Sequence, residues 1–195
     1  MGDRTYTRET AYAILKEYTG NESLIRHALA VEAVMLHFAR LLGAEDTEKW
    51  AITGLLHDFA YERYPDEHCT IAGSILLQRS WPQEYIRAVQ SHGWKICSDV
   101  EPVSLMEKVL YTIDELTGLV AAAALVRPSK SVLDLEVKSV MKKWNQKNFA
   151  AGVDRQVIEE GAAMLDMSLE HITRETINGM RKAAEEIGLK GNPPD

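Results

Sequence analysis

Apolar residues recur at three- and four-residue intervals along almost the whole chain, and no stretch alternates apolar with polar residues as a half-buried strand would. A chain patterned this way buries its hydrophobic surface by packing helices side on side, so the predicted fold is all-α, a single-domain helical bundle. Leu24, His27, Val31, Val34, Met35 and Phe38 mark one face of a helix predicted over residues 23–42, which Gly43 ends. Asp46 is placed to cap the next helix, which runs through Trp50, Ile52, Leu55 and Leu56 to His57 and Asp58. Further helices are expected over residues 10–18, 68–80 and 82–90. Another is expected from the capping box Ser104-Leu-Met-Glu107 to about residue 125, and two or three more roughly over residues 132–144, 155–165 and 168–186. The segments 61–67, with Pro65, and 93–103 read as loops.

The 195 residues suit one domain, and a hydrophobic fraction of 46 % supplies a core without disulfides or structural zinc. Cys69 and Cys97 have no CxxC spacing and read as two reduced thiols. No apolar run approaches the roughly 20 residues that span a bilayer, and the charged start Met1-Gly2-Asp3-Arg4 leads into no apolar segment. A cytoplasmic protein with no membrane partner is therefore expected. A formal charge of −7 argues against an extended nucleic-acid surface. Spare apolar helix faces leave a homo-oligomer open.

Some polar residues stand where apolar ones belong. His27 lies on the face of its helix that points into the core, and Asp114 shares a face with Met106, Leu110 and Thr117. His57 and Asp58 end the apolar run Ile52-Thr-Gly-Leu-Leu56 and emerge from the inner end of their helix. A buried carboxylate is costly unless a cation or several donors compensate it. Each residue alone has a plainer role: a hydrogen-bonded core histidine, or an aspartate paired with an arginine. Together they place two imidazoles and two carboxylates on the buried sides of three helices, a donor set that suits iron, manganese, zinc, nickel or cobalt.

The order His27, then His57-Asp58, then Asp114, on successive helices, resembles the HD-domain superfamily. The resemblance covers residues 22 to about 126, including Leu55-Leu-His-Asp-Phe59 and Tyr111-Thr-Ile-Asp-Glu-Leu116. It implies a bundle of the HD-domain type in which these four residues hold a metal ion. It also implies metal-dependent hydrolysis of a phosphoester on a small molecule, with nucleotides the expected class. Residues 127–190 then form a helical extension of the same domain, and 191–195 a flexible tail. His68 and His92, between the HD pair and Asp114, resemble the further histidines of dinuclear members, where they hold a second ion and Asp58 bridges the two. Both also suit ordinary helix ends, so the sequence leaves one ion or two open.

Around such an ion, Asp58 can be a ligand that also accepts a proton from the nucleophile. Glu62, four residues on, is a candidate base or acid, and Glu115 is expected to face elsewhere on its helix. Arg127 and Lys130 open the main basic cluster of an acidic chain, with Lys138, Lys142 and Lys143, and are candidates for phosphate contact. Arg26 beside His27 and Trp94 after His92 are weaker candidates for contact with substrate. Two other functions fit the same residues: a dinuclear-iron oxygenase, and a non-catalytic regulatory domain that keeps the metal for stability.

Overall fold

A computed structural model describes residues 6–193. The charged N-terminal start and the last two residues of the expected tail lie outside the described residues. Among those described, nine helices follow one another: α1 (Arg8–Tyr18), α2 (Glu22–Leu41), α3 (Thr47–Leu56), α4 (His68–Gln78), α5 (Gln83–Ser91), α6 (Leu105–Leu125), α7 (Val137–Trp144), α8 (Arg155–Met164) and α9 (Leu169–Lys182). The only β geometry among them is an isolated bridge between Trp94 and Ser98, so the fold is all-α. No helix is long and apolar enough to cross a membrane.

The helices start where side chains can take up their free N–H groups. Asn21 accepts from the N–H of Ser23 and Leu24 ahead of α2, and Asp46 from Lys49 ahead of α3. Ser104 and Glu107 close a full capping box on α6. Gly43, at φ +69°, turns the chain out of α2 in a conformation that most side chains disfavour.

The two long helices, α2 and α6, form the centre. Val31, Val34, Met35 and Phe38 of α2 and Val109, Leu110, Ile113 and Leu116 of α6 are closed off from solvent. Each such side chain stabilises the fold by about 1.5–3 kcal/mol relative to exposure. Helix α2 packs on α3, α6 and α9, while α6 also packs on α8 and α9; α4 and α5 pair with each other, and α5 leans on α3 and α6. The approach of α3 to α2 is close at Gly54. A Cβ there would stand 2.9 Å from Met35 Cγ and 3.0 Å from the Val31 carbonyl oxygen. One turn later α3 delivers His57 and Asp58.

The C-terminal third departs from the periodicity. The helix expected over 132–144 begins only at Val137, because residues 129–135 form a turn that packs on the chain end. Arg127 pairs with Asp134 at 2.7 Å, Lys130 takes a φ of +49°, and the Val132 N–H donates to the Leu189 carbonyl at 2.9 Å. Val132 and Leu135 are buried by that packing rather than by a helical stripe. Helix α9 stops at Lys182, short of the expected residue 186, and a turn returns Leu189 to the core. The Asn192 N–H donates to the Ser129 carbonyl at 2.8 Å, so the start of the expected tail is tied to this turn.

Candidate metal centre

Three histidines sit at helix ends in the same local arrangement. His57 caps the C-terminus of α3, and its Nδ1 is 2.7 Å from the Gly54 carbonyl. His92 caps α5, with Nδ1 2.5 Å from the Val89 carbonyl, and His68 opens α4, with Nδ1 2.8 Å from the Pro65 carbonyl. A carbonyl only accepts, so each Nδ1 carries its hydrogen and each Nε2 is left to face the interior. Ligating histidines are commonly oriented through this kind of bond.

The Nε2 atoms converge with carboxylate oxygens in two sets. In the first, His27 Nε2 is 2.8 Å from Asp114 Oδ1 and 3.3 Å from His57 Nε2, and His57 Nε2 is 3.2 Å from Asp114 Oδ1. In the second, Asp58 Oδ1 is 3.1 Å from His92 Nε2 and 3.3 Å from His68 Nε2, and the two imidazole nitrogens are 3.3 Å apart. Asp58 Oδ2 turns the other way, 3.6 Å from His57 Nε2. Asp58 thus lies between the sets with one oxygen toward each.

Donors held about 2.1 Å from one first-row transition ion lie roughly 3.0–3.4 Å from each other. The second set lies within that range, and so does the first except for the shorter His27–Asp114 distance of 2.8 Å; imidazole with carboxylate is the donor chemistry such ions take. Two neutral imidazoles with Nε2 lone pairs facing at 3.3 Å repel unless a cation or a proton lies between them. The groups His27–His57–Asp114 and His68–His92, the latter with Cys69 close by, are therefore candidate metal-binding groups.

Without an ion, protons take its part. Burial opposes the charge on His57, but the Asp114 and Asp58 carboxylates outweigh it and hold its pKa up to about 9. Burial likewise opposes the charge on His68, which a hydrogen bond to Cys97 and the Asp58 carboxylate hold up to about 9. Burial would raise both aspartates, but His57 is the main cation that pulls each below the ordinary carboxylate range. His92 adds to the effect on Asp58, and His27 to that on Asp114.

A cavity of about 200 Å³ opens beside the second set, lined by Asp58, Tyr61, His68, His92, Asp114 and Glu115 among others. Glu115 therefore faces the site, against expectation. Burial and then the Asp114 carboxylate push it up to about 7, and its Oε2 accepts from the Asp154 N–H at 3.0 Å. Successive helix positions differ by about 100°, and the cavity is wide enough to meet both residues 114 and 115.

The other candidates lie elsewhere. Glu62 accepts from the N–H groups of Gly20 and Asn21 at 2.7 and 3.0 Å, which lowers its pKa and ties the α1–α2 turn to the segment after α3. Arg127 is engaged with Asp134, and Lys130 sits in the same turn beyond the C-terminus of α6. That terminus is eleven residues past Asp114, a helical rise of about 16 Å. Arg26 borders a separate, mostly apolar cavity that shares His27. Trp94 packs on Tyr111 and under Lys95. No lysine or arginine is among the described residues that line the 200 Å³ cavity. Compared with family models, curated proteins and solved structures, the chain matches none.

Proposed function

We propose that this chain is a metal-dependent phosphohydrolase of the HD-domain type that cleaves a phosphoester of a small molecule, with a nucleotide the expected class, and that it works with two divalent ions. The carrying observation is the pair of three-donor sets joined by Asp58. His27, His57 and Asp114 would hold one ion, His68 and His92 the other, and Asp58 both. Bound there, the ions supply Lewis acidity that makes water a better nucleophile and polarises a phosphoryl oxygen.

Charge balance favours two ions over one. The described residues lining the cavity include the carboxyl groups of Asp58, Asp114 and Glu115 and no lysine or arginine, and a phosphate ester adds up to two more negative charges. Two divalent ions offset the charge of both aspartates and the ester, whereas with one ion part of that charge is left to a proton on the histidines of the other set. The cavity is smaller than the roughly 300–1,000 Å³ of typical small-molecule sites. Its size suits a phosphoryl group, with the rest of the substrate at the mouth. Glu115, Tyr61 and Cys97 are further residues in its wall whose side chains can hold or move a proton.

A lining without lysine or arginine among the described residues also suits a non-phosphorylated substrate, which favours a dinuclear-iron oxygenase as the second reading. Metal analysis of the native protein, followed by a phosphoester panel with manganese, cobalt and nickel, tests both. Expected are two ions per chain and hydrolysis that Asp58→Ala removes together with at least one ion. Full metal occupancy in Asp58→Ala would sink the assignment. Iron-dependent oxygen uptake without hydrolysis would favour the oxygenase, and retained metal without turnover a regulatory domain.

A further inference from the structure

Cys69 and Cys97 are far apart in sequence, yet their sulfurs meet. They meet over the α-carbon of Gly93, where an added Cβ would lie 2.4 Å from each Sγ. The two sulfurs also abut the second donor set: Cys97 Sγ is 3.5 Å from His68 Nε2, and Cys69 Sγ is 4.0 Å from His92 Nε2. Their access differs. Cys69 is closed off from solvent, while Cys97 is half-buried and lines the cavity. Cys97 belongs to a tight loop that follows His92 directly, in which the Gly93 carbonyl accepts from the N–H groups of Ile96, Cys97 and Ser98 at 2.9–3.1 Å.

We propose that Cys69 and Cys97 are a peroxide-sensitive dithiol, and that closing them to a disulfide removes the ion held by His68 and His92 while leaving the one held by His27, His57 and Asp114. Cys97, reachable from the cavity, reacts first: its sulfur takes one oxygen from a hydroperoxide, leaving the sulfenic acid and water or the corresponding alcohol. The Cys69 sulfur then attacks the Cys97 sulfur. An S–S bond forms, the S–O bond breaks, and the Cys69 thiol proton leaves with the hydroxyl as water. Overall the two thiols give two electrons and two protons to the peroxide. Bonded sulfurs stand only about 2.05 Å apart. Closure therefore draws the Cys97 loop toward the start of α4 and shifts His68 and His92, which immediately precede Cys69 and Gly93. The effect on ion content rests on the proposed metal reading; the disulfide itself does not.

The test treats the metal-loaded protein with hydrogen peroxide and reads intact mass and ion content. Expected in the wild type are a mass lower by two hydrogen atoms, a fall from two ions to one, and recovery of both after a dithiol reductant and fresh metal. Cys69→Ser should instead accumulate oxygen on Cys97, and Cys97→Ser should resist oxidation. Oxygen addition in the wild type without loss of two hydrogens overturns the dithiol. A disulfide that leaves two ions in place overturns the coupling to the metal centre. A disulfide in a chain that holds no metal when reduced keeps the dithiol, and overturns the coupling together with the metal reading on which it rests.

Discussion

Ions and protons should compete for the same nitrogen atoms, and the competition can be sized. His57 and His68 each have Nδ1 committed to a carbonyl, so any added proton sits on Nε2. Burial opposes that proton, but the neighbouring carboxylates, and Cys97 in the case of His68, hold both groups up to about 9. One such group lies in each donor set. At neutral pH the metal-free protein therefore carries a proton where each proposed ion would bind, and loading would expel it. A proton held at pKa 9 costs about 1.4 kcal/mol per pH unit to remove, hence about 3 kcal/mol at pH 7 for the His57 set. The cost is smaller for the His68 set, where the cavity admits water. Affinity should rise up to tenfold per pH unit and level off above about 9. Metal-free stability runs the opposite way. Both pKa values are raised above the unfolded value near 6.5, so the extra stability is complete below about 6.5 and is lost as pH climbs through about 9. Calorimetric titration with zinc in buffers of different ionisation enthalpy counts the protons directly. Close to two should leave per chain at about pH 7. No proton release, or an affinity that stays flat from about pH 6.5 to 8.5, would refute the reasoning.

Three substitutions separate the roles further. His68→Ala should reduce elemental analysis from two ions per chain to one, because the set formed by His27, His57 and Asp114 is untouched; two ions retained would contradict the division into sets. Glu62→Gln should lower Tm slightly and leave ion content unchanged, since its carboxylate serves the Gly20 and Asn21 N–H groups and not the cavity. Gly54→Ala pushes a methyl against the backbone of α2, and overpacking of this kind costs about 1–3 kcal/mol. Urea unfolding should show that loss, and the metal content should fall with it because His57 and Asp58 follow one turn later.

The histidines and aspartates of the centre were legible because burial imposes a pattern on sequence. A polar residue at a position whose helical neighbours are Val31, Val34 and Phe38, or Met106 and Leu110, breaks the pattern and exposes itself. His68 and His92 break no pattern, being helix-end residues, so their place beside Asp58 is settled by the packing of α4 on α5 and not by their spacing. Glu115 escapes the pattern for a related reason. Periodicity tells which side of a helix is buried, but a cavity opening at the edge of that side admits the next residue as well. Arg127 and Lys130 illustrate the opposite limit: a cluster of like charge in sequence carries no information about its height along α6, and the fold places these two in a turn beyond that helix. The thiols are the extreme case. Neither cysteine disturbs its helical or loop context, and Gly93, whose missing side chain lets the sulfurs meet, reads in sequence as an ordinary loop glycine. What sequence periodicity exposes is the cost of burying a wrong residue; contacts that incur no such cost, however close to the chemistry, become visible only when the chain is folded.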